Sequence, residues 1–501
     1  MLRASSITLG LLASLSVLAA PHAASACGGV FPTEETPVPG QPPETITVAG
    51  QRMALSISSQ QTVLWSQVQY EGNPSEFAWV IPVGSGANVE QATDAWFEAL
   101  DTFTTSKVQP PSVVCVSEGE AQDSGGGLFS CGCGSLGDAA PGGGFDAPPR
   151  QHDDVEVLHH GSVGPYETFT IDTSSGDAAQ QWLAQNGFAV PPEVAPVLDA
   201  YASEGLDFIA MRLRPGADVQ QMTPVRVVAP GGSPIVPMRM MVAGAGEKVP
   251  VTLFVLGEGR YAPENFPSAF LDPAEVSWDF EAELSNYGDV RAAALGAEGG
   301  RGFLTTFAMR QPFTTPLLWP GSLEQVQLGG EGVDPVTTLV DLYFAQAAAN
   351  GGSPVGGCDA KGYLADQYLK VVEACADGST DAGPCADGET ITAASFACGD
   401  STDLAVALTG MRPDTVWLTR LEAMLPPAVL TADLQLGASP DQKDVSPFIK
   451  AQGVENVPCD DYYIENTGAE PQSSRTQGAV GLVLAAGAAS TLLRRRRRPQ
   501  R

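Results

Sequence analysis

Between Glu44 and Leu284 apolar residues recur at every second position in run after run, and that period of two commits the stretch to β-strands. Successive side chains of a strand point to opposite faces, so each such run has a face to bury. "ETITVAG", "MALSIS", "TVLWSQVQY" and "FAWVIPV" come first, and in the last Phe77, Trp79 and Ile81 share one face. "VEVLHH", "ETFTID", "LDFIAMRL", "PVRVVA", "PIVPMRMMVA" and "VPVTLFVLG" follow. Met238, Met240 and Met241 in this set read as core packing rather than a copper site. Three stretches have the helical period instead. "NVEQATDAWFEALDTF" puts Val89, Ala92, Trp96, Leu100 and Phe103 on one stripe, with Asn88 as N-cap. "GDAAQQWLAQNGF" ends on Gly187 as C-cap, and "PPEVAPVLDAYASEG" follows it. The expected fold is β-rich α+β, with antiparallel or mixed sheets, a few packed helices and a disulfide-rich C-terminal region.

The rest of the chain has other textures. Residues 117–150 are Gly-rich and read as an insertion into a module covering 27–300. From 301 to 467 a helix, "PVTTLVDLYFAQAAANG", leads into a cysteine-rich stretch, and "DTVWLTRLEAMLPPAVLTADLQLG" reads as one or two strands.

The first 26 residues read as a secretory signal peptide: Arg3, an apolar core over Ile7–Ala20, and small residues Ala24 and Ala26 before the cut. The mature chain would begin at Cys27, cut either by ordinary signal peptidase, which accepts Ala-Ser-Ala, or by a lipoprotein peptidase, which would leave Cys27 lipidated. Export makes disulfides the default use of the other cysteines, Cys115, Cys131, Cys133, Cys358, Cys375, Cys385, Cys398 and Cys459. Nine cysteines is an odd count, so one thiol lacks a partner within the chain; lipidation of Cys27 would leave eight to pair. At the far end a polar linker, 468–477, precedes an uncharged run, 478–493, and a basic tail, 494–501. As a helix the run would be about 24 Å long, and five arginines beside it would snorkel and remain cytoplasmic. The expected partner is therefore a membrane, reached through this helix, with the main domain outside the cytoplasm in a Gram-negative envelope or at the cell surface.

Five phrases together resemble a bacterial exported family known as domain of unknown function 2330: "ACGG" from Ala26, "YEGNPSEFAWVIPV" from Tyr70, "WLAQNGFAVP" from Trp182, "YASEGLDFIAMRL" from Tyr201 and "PIVPMRMMVA" from Pro234. The resemblance runs from about 27 to 287 and implies export and a single folded module. The tail is similar to Gram-negative sorting tags of the Pro-Glu-Pro and myxobacterial types, with Ala469-Glu470-Pro471 at the motif position.

A formal charge of -32 argues against nucleic acid as a partner, because phosphate backbones select basic surfaces. No Gly-x-Ser-x-Gly elbow, phosphate loop or dinucleotide fingerprint occurs. The mature chain has three histidines, all in "HDDVEVLHH": His152, His159 and His160, beside Asp153, Asp154 and Glu156. His152, Asp154, His159 and His160 are the candidate metal ligands, since imidazole and carboxylate suit zinc or copper. On a strand His159 and His160 would point to opposite faces, which disfavours one shared ion. Asp377, Ser379 and Asp381 suggest a calcium loop, but Ala382 and Gly388 stand where its Gly and bidentate Glu belong. The expected role is therefore structural or interactive, without catalysis and with no cofactor. The alternatives are a metal-dependent envelope hydrolase and a calcium-dependent adhesion module.

Overall fold

In a computed structural model of the chain the described residues are 29–31, 46–72, 78–111, 114–116, 155–214, 217, 222–317, 338–350, 402–412, 415–453 and 456–458. They fall into two compact units. The larger takes the described residues of Met1–Val108, Gly143–Glu275 and Tyr287–Ile449; the smaller takes those of Gln109–Gly142, Val276–Asn286 and Lys450–Arg501.

The larger unit is built on two sheets. One is five-stranded and antiparallel, in the order Gly29–Phe31, Ala78–Val83, Asp207–Leu213, Tyr166–Asp172, Glu156–Val163. The other is eight-stranded and mixed: Ser268–Phe270, Phe303–Arg310, Val416–Leu425, Val249–Glu258, Ile46–Ile57, Gln61–Gly72, Val225–Pro230, Asn88–Gln91. Its parallel pairs are 249–258 with 46–57 and 268–270 with 303–310. Strands from both sides of residue 300 thus share one sheet. The β-rich α+β expectation holds, with sheets of both kinds.

The period of two decides how the sheets stack. Trp79, Ile81, Tyr166, Ile209 and Met211 of the five-stranded sheet meet Met53, Leu55, Val68, Val225, Leu253 and Leu421 of the eight-stranded one in a shared apolar core. Alternate residues of the same strands face outward to helices. Ala78, Val80, Phe169, Ile171 and Phe208 lie under α2 (Gly176–Gln185) and α3 (Ala195–Ser203). Ala54, Val63, Trp65, Phe254 and Leu418 lie under α1 (Asp94–Thr104), α5 (Leu339–Ala349) and α6 (Thr402–Leu408). A further helix, α4, spans Tyr287–Gly296. The larger unit is therefore a four-layer helix–sheet–sheet–helix stack. Met238, Met240 and Met241 are fully buried, as core residues.

In the smaller unit Trp278–Asp279 pairs with Leu284–Ser285, and Val114–Val116 runs parallel to Asn456–Pro458.

Three expectations are corrected. Asn88 is not a helix N-cap: Asn88–Gln91 is an edge strand paired with Val225–Val228, and α1 begins at Asp94 with Thr93 as N-cap. The apolar stripe is the same in both readings, so periodicity alone could not separate them. The run 234–243 is not one strand but a two-residue strand, Ile235–Val236, and a 3-10 turn, Arg239–Val242. Pro237 lies at the break and has no N–H to give a ladder. Finally, the membrane partner through a C-terminal helix is withdrawn. Among the described residues no helix is long and apolar enough to cross a membrane. The longest have 11 residues, about 16 Å against a ~30 Å hydrocarbon core. The run 478–493 lies outside the described residues.

Candidate functional site

The helix-facing side of the eight-stranded sheet carries buried charge. Arg226 projects from strand 225–230 between apolar neighbours and is 5% exposed, while Asp403 in the first turn of α6 is fully buried. Their contact, Nη1 to Oδ1, is 2.7 Å. Trp65 Nε1 donates to the same Asp403 oxygen at 2.8 Å. The other oxygen accepts from the Thr93 N–H at 2.9 Å and the Thr93 hydroxyl at 2.7 Å. Four donors thus satisfy one carboxylate. Arg226 turns its remaining edge to Glu90, with Nε 2.8 Å and Nη2 2.7 Å from Oε2. Burial opposes the Arg226 charge, but Asp403 and Glu90 more than offset it and hold the guanidinium above its ordinary range.

The placement of Asp403 follows from how α6 is docked. This short helix leaves carbonyls without helical partners at its end. Ser56 Oγ donates to the Ala407 carbonyl at 2.5 Å and Gln61 Nε2 to that of Val406 at 2.9 Å. Two strands therefore hold α6 over the sheet, with Leu404 and Leu408 in the core beneath it.

Beside this ion pair opens a cavity of about 390 Å³. Asp403 and Arg226 contribute to its lining; Gln91 comes from the end of the edge strand 88–91, Thr93 and Asp94 from the start of α1, Thr223 from the approach to strand 225–230, and Asn350 from the end of α5. Ala92, Ala95 and Ala347 supply apolar wall. Gln67 Nε2 donates to Asp94 Oδ1 at 2.8 Å. Burial, reinforced by Glu98, nevertheless raises the Asp94 carboxyl above the usual carboxylate range, against the opposing pull of Arg52 and Gln67. Tyr343, stacked edge-on to Trp96 at 5.7 Å, is raised by burial and then by Asp403. No histidine, cysteine, serine or lysine is among the described residues lining the cavity. Asp403 has both oxygens engaged and no exposed surface, so it offers no lone pair to a substrate.

The histidine segment lies elsewhere. Glu156–Val163 is the edge strand of the five-stranded sheet, with a bulge between Val157 and His159. His159 pairs with Thr170 and His160 with Phe169, so the two rings take opposite faces as their spacing implies. The His160 ring stacks on Phe169 at 4.4 Å and 6° and bonds Glu167 Oε1 at 3.0 Å. Glu167 in turn accepts from Arg212 Nε at 2.8 Å. Those partners, His160 first, hold the Glu167 carboxyl below its ordinary range. Among the described residues no three His, Cys, Asp or Glu come together as a metal site. His152, Asp153 and Asp154 lie outside the described residues, as do Cys27, Cys131, Cys133, Cys358, Cys375, Cys385, Cys398, Cys459 and the acidic loop 377–389. Cys115 lies in the strand Val114–Val116.

Sequence reasoning missed Asp94, Arg226 and Asp403. Arg226 had a signal, a lone cation inside the run "PVRVVA"; Asp403 had only its place before "LAVAL" in a stretch read as cysteine-rich.

A family model described as "Uncharacterized protein conserved in bacteria (DUF2330)" matches residues 21–318. No curated protein and no solved structure matches.

Proposed function

Because this chain belongs to the DUF2330 family of bacterial proteins, we propose that it is an exported bacterial protein that works by binding a small molecule, without catalysis, in the cavity at the start of α1. One observation carries this reading: an open cavity of about 390 Å³ floored by the Arg226–Asp403 pair. That volume is in the range of small-ligand sites. The floor carboxylate is spent on four internal donors, which leaves Asp94 as the described carboxylate of the lining that can meet a ligand. Export is the reading of the first 26 residues.

The test is a thermal-shift panel on the purified chain with small amines, carboxylates, sugars and divalent cations. A ligand that occupies the cavity stabilises the folded state by mass action, and the midpoint rises by about 2 °C at saturation. Turnover of any panel compound, lost on Asp94→Asn, would replace binding with catalysis. No shift with any class would remove the binding reading. Export is checked separately by the N-terminal sequence of the chain from its native cell: Cys27 is expected first, and an intact Met1 would refute it.

A further inference from the structure

We infer that the cavity at the start of α1 takes a small organic cation, an aliphatic ammonium compound, with Asp94 as its counter-ion; this rests on the binding reading above. The described charged groups that line the cavity are Asp94, Arg226 and Asp403. Arg226 is held between Asp403 at 2.7 Å and Glu90 at 2.7 Å, so its charge is already matched twice. An incoming anion would have to pull Arg226 from Asp403, leaving a fully buried carboxylate without its cation. It would also approach Asp94, and Glu98 on the next turn of α1.

Asp94 is in the opposite condition. Its side chain accepts a neutral hydrogen bond, from Gln67. Arg52, the cation whose field reaches it, is bonded to Asp101 at 2.5 Å. Glu98 adds repulsion and accepts from Asn350 Nδ2 at 3.0 Å. A positive group in the cavity relieves that repulsion and compensates a partly desolvated carboxylate. An ammonium group carries several N–H donors and can serve both oxygens.

A metal ion is the other cation to weigh. Calcium wants six to eight oxygen ligands, and the described residues gather no cluster of three acidic or imidazole ligands. The alanine walls instead favour an organic body: Ala92, Ala95 and Ala347 give methyl surface along which a short carbon chain can lie.

The experiment is isothermal titration of the full chain with 1,4-diaminobutane, succinate, glucose and calcium chloride, all at 150 mM salt. Salt matters because a chain of charge -32 attracts any polycation loosely. Diaminobutane should bind, and Asp94→Asn should weaken it roughly tenfold, the effect of losing one charge-assisted contact. Asparagine keeps an oxygen for Gln67, so the variant is expected to fold. A second variant, Ala347→Phe, fills the cavity without touching charge and should also abolish binding. Equal binding to wild type and both variants would mean loose surface attraction and would overturn the inference. Binding of succinate or glucose but not of the diamine, lost in Ala347→Phe, would overturn the ligand class while leaving the cavity as a binding site. Absence of any binding would overturn both.

Discussion

The two helical layers of the larger unit do the same job, covering an apolar sheet face, by opposite means. Over the five-stranded sheet, α2 and α3 fit closely. A Cβ added at Gly176 would sit 2.2 Å from the Asp199 Cα, so only glycine lets the two helices approach this far. Leu183, Phe188, Leu198 and Tyr201 are fully buried there. Over the eight-stranded sheet, α1, α5 and α6 enclose an aromatic cluster, Trp65, Trp96 and Tyr343, with ring centroids 5.7 Å apart at each contact. At its edge, however, this layer buries an ion pair and leaves a cavity. Desolvation makes buried ion pairs poor stabilisers compared with apolar packing of the same volume. The closed layer also meets an ion pair, Arg239–Asp433 at the Tyr201 hydroxyl, but that pair keeps some contact with solvent, whereas Arg226–Asp403 is buried. On the binding reading proposed above, the ionic layer holds the site and the closed layer is its frame.

The sharpest break of this contrast is Asp403→Ala. It leaves Arg226 buried beside Glu90 alone and strips Thr93 and Trp65 of their acceptor, and should lower unfolding stability by about 4 kcal/mol in denaturant titration. A loss under about 1 kcal/mol would mean that the pair is solvated and the layer is not ionic in its interior. Next is Leu183→Ala in the closed layer, expected to lose about 3 kcal/mol through the void it leaves while diamine binding stays unchanged. A change in binding there would show that the layers are coupled. The smallest effect belongs to Asp94→Asn, and its sign depends on pH. The folded Asp94 carboxyl lies above its ordinary value. Its favourable share of stability is therefore present below the unfolded pKa and is lost as pH rises through the folded one. The variant should match wild type near pH 3 and equal or exceed it by about 0.5 kcal/mol at pH 7, followed by thermal melts across that range. Clear destabilisation at pH 7 would make Asp94 a structural carboxylate.

The frame was far more legible in the sequence than the site. Strand 78–83 shows why: Trp79 and Ile81 go to one core, Ala78 and Val80 to the other, as a period of two requires. Gly187 follows α2 with φ +83°, the left-handed geometry expected of a residue closing a helix. Strand 303–310 was not foreseen, because "FLTTFAMR" mixes threonine with apolar residues and bulges between Thr305 and Phe307, which breaks the alternation. The start of α1 was misplaced because what sets it is Asp403, some 310 positions away in the chain. The site shares that obstacle. Its ion pair joins residues separated by 177 positions, and no local pattern announces such a meeting.

The most direct test of the central claim, that the ionic layer holds a ligand site, is a crystal structure of the full chain grown with 1,4-diaminobutane at 150 mM salt. The account predicts density in the cavity with a nitrogen about 3 Å from an Asp94 oxygen. An empty cavity with the diamine scattered over exposed carboxylates would contradict it.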